Sequence, residues 1–137
     1  MPNIQRFLAA QEKAYHTALS EIKNGRKQSH WIWYIFPQIK GLGYSYNSNY
    51  FGIDGIDEAN EYISNDLLYH RMVEICKELL AHDANIVQIL GDIDSQKLKS
   101  SMTLFDIVKP NDIFSSVLEK FFESKRCHRT LAKINKK

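Results

Sequence analysis

The amino-acid sequence predicts an all-α fold: a single compact multi-helix domain over residues 1–137 with one long loop rich in glycine and aromatic residues. Three observations carry that prediction. Apolar residues recur at spacings of three and four through most of the chain, as they do in helices that bury one face. Strict apolar/polar alternation is nearly absent and no pair of β-branched runs flanks a hairpin dipeptide, so a sheet has little support. A chain of 137 residues with 44% hydrophobic and 25% charged residues can bury one core without staples or metal, and its balance argues against disorder or a fibrous class.

The first helix is predicted over Ile4 to Asn24, where Phe7, Leu8, Ala14, Tyr15, Ala18, Leu19 and Ile22 make the buried stripe. Asn3 is a natural cap and Gly25 a natural stop. A second long helix runs from Leu67 to Leu80 on Leu68, Met72, Ile75, Cys76 and Leu79, with Asn65 or Asp66 able to accept its first free amides. A third stripe, Ile113, Phe114, Val117, Leu118, Phe121 and Phe122, follows Pro110, with Asn111 or Asp112 as its cap. Shorter helices are expected over Ser29 to Ile35, Asp57 to Ser64, Asn85 to Leu90, Gln96 to Val108 and His128 to Asn135. The segment from Pro37 to Gly55, with Gly41, Gly43, Gly52, Gly55, Tyr44, Tyr46, Tyr50 and Phe51, reads as a loop. Such a loop is either a wall or lid over a ligand, or an irregular segment pinned to the surface by its rings.

A formal net charge of +2 is too small to argue for nucleic acid. Lys125, Arg126, Arg129, Lys133, Lys136 and Lys137 do gather near the end, and they read as the solvated face of a last helix and its tail. Cys76 and Cys127 are distant and lack paired-ligand spacing, and the five histidines are scattered, so neither zinc nor a disulfide framework is expected, and no metal or other cofactor. No apolar stretch approaches the ~20 residues needed to span a bilayer, and no export signal is recognisable, so a cytoplasmic protein is expected.

The chemistry concentrates in two segments. Arg26 to Gln38 holds both tryptophans beside polar and basic residues. Full burial of one large apolar side chain is worth roughly 1.5–3 kcal/mol, so this segment enters the core and its polar members find partners or line a cavity. Within it Lys27 is a cation suited to phosphate or carboxylate, Gln38 offers donor and acceptor, and Trp31 or Trp33 can serve as a stacking platform. His30 is either a general acid or base in an aromatic pocket or a packed histidine fixed by one hydrogen bond. In the second segment Asp94, Lys97 and Ser101 fall at i, i+3 and i+7 on one helix face. That face can hold an anionic ligand, or Lys97 can activate Ser101 for covalent chemistry. Alternatively Asp94 caps the helix, Lys97 is solvated and Ser101 bonds back to a carbonyl.

The blocks Arg6-Phe7-Leu8, Ala10-Gln11, Gly25-Arg26-Lys27, Ser29-His30-Trp31-Ile32-Trp33-Tyr34-Ile35-Phe36-Pro37-Gln38 and Gly41-Leu42-Gly43 resemble those of the bacterial domain-of-unknown-function 1810 family. Tyr50-Phe51-Gly52-Ile53, Glu58-Ala59, Gly91 with Asp94, and Lys97-Leu98-Lys99-Ser100-Ser101-Met102-Thr103-Leu104-Phe105 continue the resemblance along nearly the whole chain. It implies a compact, mainly helical bacterial domain and no particular reaction, although some members carry the name calpastatin. Members tend to place an aspartate just before a Thr-Leu pair, where this chain has Cys127-His128-Arg129 before Thr130-Leu131.

The familiar phosphate-loop, zinc-protease, hydrolase-elbow and dinucleotide-binding signatures are absent, so no catalytic residue is assigned and the sequence does not decide whether the protein is an enzyme. The reading it favours is a domain that binds a small anionic or nucleotide-like ligand, of the ADP-ribose or NAD kind, through Lys27, His30, Trp31, Trp33, Gln38, Lys97 and Ser101. The alternative is a protein-interaction or regulatory module without catalysis. Nucleic-acid binding through the basic end ranks last.

Overall fold

The structure is a computed structural model and describes residues 3–135. Nine helices occur among them, α1 Gln5–Lys23, α2 Ile32–Ile35, α3 Tyr46–Tyr50, α4 Gly55–Ser64, α5 Asp66–Leu80, α6 Ile86–Leu90, α7 Asp92–Val108, α8 Ile113–Phe122 and α9 His128–Asn135. Among the described residues there is no strand, only a parallel bridge between Ile39 and Ile53. The chain is all-α.

Local signals place most of the boundaries. At the end of α1, Gly25 takes φ +79°, and the amides of Gly25 and Arg26 donate to the carbonyls of Ile22 and Glu21, the paired bonds that close a helix through a left-handed glycine. Asn65 accepts from the Leu68 amide, Asn85 from Val87 and Asp112 from Ile113. Three expectations change, one of them the start of α7, which lies at Asp92 and not at Gln96. Ser29 to Ile35 forms only the short α2, because the Gln28 and Ser29 amides donate to Glu21 Oε1 at 2.7 and 2.9 Å instead of entering a helix. The loop from Pro37 to Gly55 contains the one-turn α3, started by the Ser45 hydroxyl accepting from the Ser48 amide at 3.1 Å.

Helix α7 is the axis of the molecule, with α2, α4, α6, α8 and α9 packed against it. Enclosed on most sides, it buries Ser95, Leu98 and every residue from Ser100 to Asp106. An aromatic chain crosses the core beside it: Phe7 to Tyr62 at 5.1 Å, Tyr62 to Phe105 at 5.2 Å and Phe105 to Phe114 at 5.7 Å between ring centroids. These contacts join α1, α4, α7 and α8. Offset and edge-on pairs of this kind add about 0.5–1.5 kcal/mol each beyond area burial. No helix among the described residues is long and apolar enough to cross a membrane.

Candidate functional site

The loop after α2 is fixed before it can form a wall. The Lys40 amide donates to the Ile53 carbonyl and the Ile53 amide to the Gln38 carbonyl, both at 2.8 Å. Gly52 permits this approach, since a Cβ there would stand 2.7 Å from the Lys40 Cα. Arg6 then ties the loop to the helices. Its guanidinium is buried, forks onto the Glu58 carboxylate with two 2.8 Å bonds, and donates to the carbonyls of Tyr50 at 2.7 Å and Gly52 at 2.8 Å. Burial alone would push the Glu58 carboxyl up, but the Arg6 hydrogen bonds and charge hold it below the usual range.

Between this loop, α2, α7 and the start of α9 lies an open cavity of about 410 Å³. Trp33 and Gln38 line one side, Leu42, Gly43 and Ser48 the loop wall, Ile93, Gln96, Lys97 and Ser100 the α7 wall, and Cys127 and Arg129 the far end. Its charged lining residues are cations, Lys97 and Arg129, and no carboxylate is among them. Asp94 stands behind Lys97, with Oδ1 3.3 Å from Lys97 Nζ and Oδ2 2.8 Å from Lys27 Nζ. One carboxylate thus serves two ammonium groups, and Arg129 adds a further positive charge. Cys127 and Arg129 flank the first residue of α9, so the partial positive charge of that helix end adds to the field. Ser100 Oγ and Thr130 Oγ1, 2.6 Å apart and both buried, fasten α9 to α7.

The structure brings Trp33, Gln38 and Lys97 together in this cavity. Lys27 is behind it, its ammonium on Asp94, on the Ser29 carbonyl at 2.6 Å and 5.0 Å from the Trp31 ring. Trp31 is in the core at 1% exposure and is no stacking platform. The Trp33 ring lines the cavity, but Lys97 Nζ lies over it at 4.1 Å, so a cation occupies one ring face. His30 is exposed and outside the cavity lining. Ser101 is fully buried outside the cavity, and its hydroxyl has no hydrogen-bond partner among the described residues. Its neighbour Ser100 takes the lining position because α9 packs on that side of α7. Asp94 is not the helix cap; α7 begins at Asp92 after Gly91, whose φ is +87°.

Sequence reasoning missed Arg129, Cys127, Ser48 and Ser100. Arg129 lay in the basic run and was assigned to a solvated face; nothing in the pattern tied it to Lys97. It also missed Glu21, which holds the tryptophan segment in place. Glu21 Oε1 accepts from the amides of Gln28 and Ser29 and from Trp31 Nε1, and Oε2 from the Ser29 hydroxyl at 2.5 Å. Burial opposes ionisation of this carboxyl, but these hydrogen bonds outweigh it and hold the pKa at about 2. No cluster of His, Cys, Asp and Glu suited to a metal ion occurs among the described residues.

Fold and cavity together define a small all-helical domain with a cationic cleft beside its central helix. The chain belongs to the family described as "Protein of unknown function (DUF1810)", whose model matches residues 1–134. It is similar to the crystal structure of the conserved hypothetical protein Rv1873 from Mycobacterium tuberculosis, with 36% identity, a TM-score of 0.92, and 96% of this chain and 95% of that one covered. No curated protein sequence matches the chain.

Proposed function

We propose that this protein binds a small anionic ligand in the cleft between α7, α9 and the loop after α2. The observation that carries the reading is the charge of the lining: Lys97 and Arg129 face the cavity and no carboxylate does. An anion entering there replaces water around two cations, Lys97, which shares Asp94 with Lys27, and Arg129, which is in no ion pair among the described residues. It also meets hydroxyls at Ser48 and Ser100 and the amide of Gln38. Leu42, Ile93 and the free edge of Trp33 supply an apolar side, which suits a nucleotide-like molecule of the ADP-ribose or NAD kind better than a bare ion. The free thiols of Cys76 and Cys127 suit the reducing cytoplasm of a bacterium.

Cys127 gives the test, because it lines the cavity while Cys76 is buried. AMP should slow alkylation of Cys127 by iodoacetamide in native protein, and Lys97→Gln should abolish the protection. Unchanged alkylation at millimolar AMP and at millimolar phosphate would sink the reading.

A second reading, a protein-interaction module, has one observation in its favour. Tyr44 and Tyr46 are 98% and 75% exposed, and Tyr46 stacks on Tyr50 at 5.6 Å. Aromatic rings held at the surface are common anchors of protein interfaces. If Tyr44→Ser and Tyr46→Ser leave AMP protection intact while abolishing a co-purifying partner, the second reading gains over the first.

A further inference from the structure

Resting on the anion reading above, we infer that the occupant is an elongated molecule with two anionic groups, the second lying outside the cavity on Arg129 and Lys133. A second hollow, of about 230 Å³, is lined by Leu42, Arg129, Ala132 and Lys133. It shares Leu42 and Arg129 with the cavity, so the two form one path along α9.

None of the ion pairs among the described residues includes Arg129 or Lys133, whereas Lys27 and Lys97 share Asp94. Arg129 donates one N–H to the Leu42 carbonyl at 2.5 Å, which aims the guanidinium at the junction and leaves its other donors for a ligand. Lys133 is exposed, and its side chain passes over the loop: its Nζ would lie 3.1 Å from a Cβ at Gly41, whose φ is +100°. Glycine at that position therefore makes room for the ammonium.

The path also has an end. Lys133 also lines the next hollow, together with Asp54 and Asp57, whose carboxylates repel further negative charge. The positive track runs from Lys97 through Arg129 to Lys133 and stops, which fits a diphosphate or a similar short dianion and rejects a long polyanion.

The test uses the full-length protein and reads Kd by calorimetry for phosphate, pyrophosphate, AMP and ADP, with Cys127 alkylation as the site-specific readout. ADP should bind about tenfold tighter than AMP, and pyrophosphate than phosphate, as one added charge-assisted contact provides. Lys133→Gln should bring each ratio below about twofold. Lys125→Gln removes the same charge from a residue that lines neither hollow and should preserve the ratios. Equal affinity for AMP and ADP, or a ratio that survives Lys133→Gln, overturns the two-anion inference; if AMP still protects Cys127, the cavity reading survives it. Failure of all four probes to protect Cys127 overturns both. Binding of a single-stranded oligonucleotide tighter than ADP would overturn the limit to two groups.

Discussion

Glu21 shows how one side chain can decide the course of a segment. Its carboxylate gathers two backbone amides, a hydroxyl and the Trp31 indole N–H, so the ring is delivered to the core with its polar atom satisfied. The pKa falls from 4.5 to about 2 on folding, so the ionised form is the stabilising one. Its contribution is complete above about 4.5 and is lost as the pH drops through about 2. Glu21→Gln should accordingly unfold at lower temperature than the wild type near neutrality, with the gap closing in thermal melts as the pH approaches 2. The serine pair on α7 gives a second expectation. Ser101 buries an unpartnered hydroxyl, so Ser101→Ala should leave stability unchanged or raise it, whereas Ser100→Ala strands Thr130 and should cost about 1–3 kcal/mol in urea unfolding. Helical spacing put both serines within one turn of Lys97. Which of them faces the cavity was not legible, because that depends on where α9 packs.

Among the elements, the loop between α2 and α4 walls the cavity, and its shape is set by groups far away in sequence. Arg6 on α1 and Glu58 on α4 close a buried fork that also holds the Tyr50 and Gly52 carbonyls. Arg6→Ala would leave both carbonyls without this donor and Glu58 with only the Asp54 amide among its hydrogen bonds, at an expected cost of about 3–5 kcal/mol measured by urea unfolding. Gly52→Ala should act on the loop more selectively, since its Cβ would meet backbone atoms of Lys40 and Ser48 within 2.8 Å. The long helices were legible because their stripes and caps are local: α1, α5 and α8 start or stop where Gly25, Asn65 and Asp112 said they would. The short α2 was over-extended because its competing partner, Glu21, sits on another helix. The start of α7 was misplaced because a helix wrapped on most sides shows no single stripe to follow.

At the scale of the whole molecule, the proposed function assigns folding and binding to different residues. Trp31 and Phe105 are in the core, and truncating either to alanine should cost about 3–5 kcal/mol. Lys27 and Lys97 instead share a single carboxylate, Asp94, and Arg129 lines the same cavity as Lys97, an arrangement that folding alone does not favour and that an anion would relieve. Two opposite effects should therefore appear in one set of melts. Without ligand, Lys97→Gln should melt at or above the wild-type temperature, because a crowded cation is gone and Asp94 keeps Lys27. With AMP at ten times its Kd, the wild type should gain about 1.4 kcal/mol and the variant almost nothing. The wild-type gain should shrink with added salt, as expected for attraction in a partly exposed cleft. If Lys97→Gln instead melts as low as the aromatic truncations, the Lys27, Asp94 and Lys97 cluster is a fastening between α7 and the tryptophan segment. The cationic lining would then be a by-product of packing.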